Sequence, residues 1–183
     1  MKKVLLLSLC FSGFIIADEP NKAYIDMNHV WLNYSNNGTT IDFKPTGFKW
    51  TGGYVFKDFD FASVAIEGSL MLGINNDSKS KVTLSNGNSL TNAEATLDKM
   101  YSLHIKGILP ITKGFNANLY LGGTRGKLLS SSNQSKSKSS FENSFSYGGG
   151  LEYWTSANVS VYGNYLQYFK NLDAVEFGVG FRF

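Results

Sequence analysis

Few side chains in this sequence could run chemistry. It holds two histidines, His29 and His104, and one cysteine, Cys10. A histidine two residues from a serine on one strand face could activate that hydroxyl as a nucleophile. At that spacing His29 is followed by Trp31 and His104 by Lys106. No cluster of histidines and carboxylates has metal-ligand spacing, and a lone cysteine excludes both a disulfide framework and a thiolate zinc site. Gly148-Gly149-Gly150 precedes no helical pattern, so it is not a phosphate loop. In a sheet such a run permits a sharp bend. The expectation is therefore a non-enzyme with no catalytic, cofactor-binding or metal residues, in which His104 is a polar interior group.

The charges that remain have a pattern. Lys49, Glu67, Lys106, Glu152, Glu176 and Arg182 recur on one face of period-two segments, beside glycines and small polar residues. Three bases and three acids on a shared interior face can pair, as buried charges must. Glu176 and Glu152 are the candidate partners of Arg182, whose planar fork can hold two carboxylates. This network predicts a polar plug that pins strand register. A gated ion path is the alternative. A second cluster, Arg125, Lys127, Lys136 and Lys138, sits in a Ser-rich stretch without acids. It predicts a solvated segment that could touch lipopolysaccharide or a host polyanion.

Composition narrows the class. Only 17% of residues are charged, against about 25% in soluble domains. Aromatics reach 15%, which excludes a disordered chain. A net charge of +3 is too small to argue for nucleic acid. Met1-Lys2-Lys3 and the apolar run Val4 to Ile16 end at the small Ala17, before the polar Asp18-Glu19-Pro20. That is a secretory signal peptide over 1–17, with cleavage after Ala17. It is too short to span a bilayer as a helix. The domain proper is 18–183, without a cysteine, as suits an exported chain.

Beyond the signal peptide the dominant signal is alternation. Val175, Phe177, Val179, Phe181 and Phe183 alternate with Glu176, Gly178, Gly180 and Arg182. Similar alternation predicts strands near 23–34, 48–56, 64–72, 101–109, 117–122, 145–154 and 159–165. That makes eight strands of about ten residues, the length a tilted strand needs to cross a bilayer. The connections alternate too. Lys57–Asp60, Pro110–Gly114 and Thr155–Asn158 are tight, whereas Ser35–Thr46, Ile74–Thr96 and Arg125–Asn143 are long and polar. Phe169–Asp173 is a shortened member of the long set. Short turns on one rim and long loops on the other are the signature of an outer-membrane barrel. Hydrocarbon offers no partner to an unpaired backbone group, so the sheet must close. The predicted fold is all-β, an eight-stranded antiparallel up-and-down transmembrane β-barrel. Its interfacial belt would draw on Tyr24, Trp31, Trp50, Phe56, Phe61, Tyr101, Phe115, Phe145, Tyr153, Tyr165 and Phe169. A soluble β-sandwich or lipocalin-like barrel would leave Glu67, Lys106, Glu152, Glu176 and Arg182 on one Gly-bearing face, and is disfavoured.

The ending Phe177-Gly178-Val179-Gly180-Phe181-Arg182-Phe183 resembles that of the small outer-membrane barrels of the OmpX, Ail and Lom group. Those typically close with Gly-Val-Gly-Tyr-Arg-Phe; Phe181 stands where that pattern has Tyr. Tyr147-Gly148-Gly149-Gly150-Leu151-Glu152-Tyr153 is similar to the Gly-rich sixth strand of that group and of the wider outer membrane protein β-barrel domain and opacity-type families. The resemblance implies that Phe183, with Phe181, Val179 and Phe177, is the signal read by the barrel-assembly machinery. It further implies a monomeric, non-enzymatic surface protein of a Gram-negative outer membrane. Its partners would be outer-membrane lipid, lipopolysaccharide and a host or surface ligand held by the loops. A narrow pore for small solutes or ions is the second reading. A lipid A-modifying enzyme is the third, and lacks the membrane-facing His/Ser pair that such hydrolases carry.

Overall fold

The structure is a computed structural model that describes residues 22–35, 42–83, 89–132 and 135–183. Signal cleavage at Ala17 lies outside these residues. The strands, in chain order, are β1 Ala23–Ser35, β2 Asp42–Phe43, β3 Thr46–Phe59, β4 Ala62–Asn75 and β5 Asp77–Thr83. They continue as β6 Ser89–Thr112, β7 Phe115–Ser132, β8 Ser135–Trp154, β9 Val159–Phe169 and β10 Leu172–Arg182. Strands β1, β3, β4, β6, β7, β8, β9 and β10 pair in that order, all antiparallel. β10 then pairs with β1 from Tyr24↔Arg182 to Tyr34↔Leu172, which closes the barrel. β2 caps the end of β1, and β5 folds back on β6.

Closure sets which side chains meet. Successive residues point to opposite faces of a strand. Outward positions carry the exposed apolar residues, among them Leu103, Ile105, Leu119, Leu121, Phe145, Tyr165 and Phe177. Inward positions carry the buried polar set: Lys49, Glu67, His104, Lys106, Asn118, Glu152 and Glu176. The short turns lie on one rim. In the turn between β6 and β7, Gly114 takes a φ of +82°, a left-handed conformation open to glycine without a Cβ penalty. Its carbonyl accepts a hydrogen bond from the Trp154 amide at 2.8 Å.

Four sequence expectations need correction at the level of the fold. Tyr24 and Phe169, read as belt aromatics, are buried inside. The stretches read as long loops at Ile74–Thr96 and Arg125–Asn143 are largely strand. β6, β7 and β8 run for 24, 18 and 20 residues, about twice what a bilayer crossing needs. These stretches are polar and show no apolar alternation, so their composition resembles that of loops.

Leu119 is 55% exposed on the lipid side of β7, and its neighbour Asn118 is 1% exposed on the inner side. Leu119→Arg should destabilise the barrel by roughly 2–4 kcal/mol, the cost of a cation near the bilayer midplane. Asn118→Arg carries no such lipid-transfer cost. A denaturant titration of vesicle-inserted protein checks this, and equal losses would reverse the assigned faces.

Candidate functional site

The bore of an eight-stranded barrel is narrow enough for side chains to fill it. Here it is filled in layers. On the long-loop side lie Val30, Leu32, Met71, Leu97, Met100, Leu166, Leu172 and Ala174, one apolar cluster that also takes in Tyr168 and Phe169. These residues occupy the inner face of their strands, where the alternation predicts polar groups. A local signal exists: Val30-Trp31-Leu32 and Leu70-Met71-Leu72 are apolar on both faces.

Below this cluster is a polar layer built around two lysines. Lys49 on β3 forms an ion pair with Glu176 on β10, and its ammonium donates to the Tyr168 hydroxyl at 3.0 Å. Glu176 is fully buried. It also accepts from the Tyr168 hydroxyl and, at 3.1 Å, from Asn28 Nδ2. Tyr162 donates to Asn28 Oδ1, extending the set to β9. Lys106 on β6 pairs with Glu67 on β4 at 3.2 Å, and the Tyr24 hydroxyl donates to the same carboxylate oxygen at 2.7 Å. The Lys106 ammonium lies 4.9 Å from the Tyr24 ring centroid and 5.6 Å from that of Tyr120. Every charge in these two pairs therefore has an opposite charge and further donors or aromatic faces. Buried ions require such compensation.

Two inward glycines make this layer geometrically feasible. Gly53 lies between Tyr24 and Glu67 in the strand register, and Gly122 lies between His104 and Ser146. A Cβ at Gly53 would stand 2.1 Å from Tyr24 Cζ. At Gly122 it would stand 2.8 Å from His104 Cδ2. Without side chains, these positions let the two rings lie across a strand. Tyr24 so reaches Glu67. His104 Nε2 likewise shares a 2.8 Å hydrogen bond with Ser146 Oγ, which continues through Thr124 to Ser102. The sequence reading missed this His–Ser contact because the partners are 42 residues apart. Both are buried, on the inner side of the wall.

The remaining predicted network members are placed differently. Glu152 accepts from Ser160 at 2.9 Å and from Asn116 at 3.4 Å, not from Arg182. Glu176 is occupied by Lys49, and stands six residues along β10 from Arg182, about 20 Å for an extended strand. Arg182 instead lies with its guanidinium 4.4 Å from the Trp154 ring centroid at the short-turn end. Asp26 adds a fourth buried carboxylate that the sequence reading left out of the network. Phe177, Val179, Phe181 and Phe183 are exposed, the first three on the lipid face of β10. Among the described residues, no group of three or more His, Cys, Asp or Glu side chains could hold a metal.

A closed antiparallel barrel with an apolar outer face and a packed bore defines an integral outer-membrane protein. The family model for the outer membrane protein beta-barrel domain matches residues 4–183, and the chain belongs to that family. It is a bacterial outer-membrane protein with the fold of the small eight-stranded barrels. Ail, the attachment invasion locus protein of Yersinia pestis, solved in complex with the heparin analogue sucrose octasulfate, superposes with a TM-score of 0.60 at 21% identity, over 90% of this chain and 100% of Ail. OprG of Pseudomonas aeruginosa gives a TM-score of 0.56 at 12% identity, over 90% and 97%. Neisserial surface protein A gives 0.51 at 15% identity, over 90% and 98%. At these identities the likeness is one of fold. No curated protein matches the chain.

The Lys49–Glu176 pair predicts a measurable stability term. Lys49→Met should cost about 3–5 kcal/mol, since it leaves Glu176 buried without its cation. Lys49→Met combined with Glu176→Gln should recover much of that loss. Folding titrations of both variants check it, and a loss below about 1 kcal/mol in the single variant would contradict a dry, paired interior.

Proposed function

We propose that this chain is a non-enzymatic surface barrel whose projecting hairpins make structural, adhesive or protective contacts outside the cell. The observation that carries this reading is the height of β5 to β8. Their ladders continue well past the membrane, from Tyr101↔Arg125 to Glu94↔Ser131 between β6 and β7 and up to Ser132↔Ser135 between β7 and β8. The ladder between β8 and β9 begins only at Tyr147↔Gln167. Above that point β8 pairs with β7 alone, and its other edge presents backbone donors and acceptors to the outside. Such an edge is a ready template for another strand.

The ligand class follows from charge. Arg125 and Lys127 stand on the outer side of this projection, and Lys136 and Lys138 follow across the hairpin. Lys127 lies 3.5 Å from Asp98. Two outward bases, with Lys136 and Lys138 further along the same Ser-rich stretch, suit a polyanion, either lipopolysaccharide or a host polysaccharide. A heparin analogue bound to Ail is in keeping with this chemistry.

The pore reading has less support. An ion path needs continuous water, and the apolar cluster of Leu32, Met71, Leu97, Met100, Leu166 and Leu172 lies across the bore. The enzyme reading has less still, since the buried His104–Ser146 pair faces away from lipid.

Cells displaying the intact barrel should adhere to a heparin-coated surface in a salt-sensitive way. Replacing 77–97 and 127–143 with tight turns should abolish that adhesion while the barrel remains folded. Undiminished adhesion by the trimmed barrel would overturn the proposal.

A further inference from the structure

The bore is closed at the long-loop end and open at the other. At the short-turn rim, the periplasmic side of outer-membrane barrels, a cavity of about 340 Å³ enters the barrel. Its walls include the apolar Val55 and Ile108, and its polar groups include Lys22, Asp58, Asn116 and Arg182. Of these, Arg182 has the most telling surroundings. Its guanidinium stacks on Trp154, its Nε is buried, and that Nε donates to no described group. Among the described residues, no carboxylate forms an ion pair with it. The backbone around it is fixed: its amide donates to the Asn158 carbonyl at 2.9 Å, and its carbonyl accepts from Asn158 Nδ2 at 2.9 Å.

With its guanidinium over the Trp154 ring and Nε buried, Arg182 meets the cavity through its terminal Nη groups, which can donate to a carboxylate. Lys22 adds positive charge to the same cavity. Asp58 and Asn116 offer acceptors there, and a carboxylate beside a bound anion favours a ligand that carries an ammonium as well. The cavity volume suits a small solute, and the apolar cluster farther up the bore makes it a blind vestibule rather than a passage.

We propose that the periplasmic mouth is a binding site for a small zwitterion, an amino acid or short peptide. Arg182 takes the carboxylate, and Asp58 takes the ammonium. The site is independent of the surface hairpins, and its ligand comes from the periplasm.

Nitrogen-15 NMR of the mature barrel in detergent micelles tests it, with glycylglycine and acetate as probes. Glycylglycine should shift the Arg182 Nε–H and Trp154 indole signals saturably, and acetate should do so about tenfold more weakly. Arg182→Gln should abolish both responses, read at the Trp154 indole. Asp58→Asn keeps Arg182 in place, so it serves even where the arginine variant does not fold. It should bring glycylglycine down to the affinity of acetate. No saturable shift in the wild type, the same Trp154 response in Arg182→Gln, or an unchanged preference for glycylglycine in Asp58→Asn would each overturn the proposal.

Discussion

The rest of this structure depends on one constraint: in hydrocarbon every backbone amide must find its partner inside the protein. The ladder between β1 and β10, from Tyr24↔Arg182 to Tyr34↔Leu172, meets that constraint by removing the last open edge. Once the sheet is closed, alternation does the sorting. Each strand must send one set of side chains to lipid and the other into a bore only a few side chains wide. The aromatic outer face and the glycine-bearing inner face follow from that division. So does the need to pair every charge that ends inside.

The interior answers this need in two ways. The layer of Lys49, Glu176, Lys106 and Glu67 balances charge with charge and completes the balance with Tyr24, Tyr168 and Asn28. The layer toward the long loops does without polar groups and packs Leu32, Met71, Leu97, Met100, Leu166 and Leu172 together. Apolar packing is non-directional and excludes water, whereas the ionic layer fixes which residue faces which. The two together give a packed bore between the vestibule at the short-turn rim and the projecting sheet.

Much of this was legible in the sequence. Val175 to Phe183 declares a lipid-facing strand by itself, and the inward placement of Lys49, Glu67, Lys106, Glu152 and Glu176 follows from period two alone. The pairing was not legible, because Lys49 and Glu176 are 127 residues apart and meet only through barrel closure. Arg182 shows the same limit: its face was readable, but its height above the rim depends on register. Tyr24 was misplaced because an aromatic near a strand end suits a headgroup belt as well as a lumen. Its period-two neighbours Asp26 and Asn28 share the inward face, and the missing side chain at Gly53 leaves room for the ring. The apolar cluster was missed because inward apolar residues at a strand end look like ordinary strand composition.

The central claim is that the bore is closed by packing. It is tested most directly by single-channel recording of the wild-type barrel in a planar bilayer. A packed bore predicts no steady conductance above the bilayer background. Large, stable, ion-selective steps from the wild-type protein would contradict it, because they require a continuous water path through the apolar cluster that seals the bore.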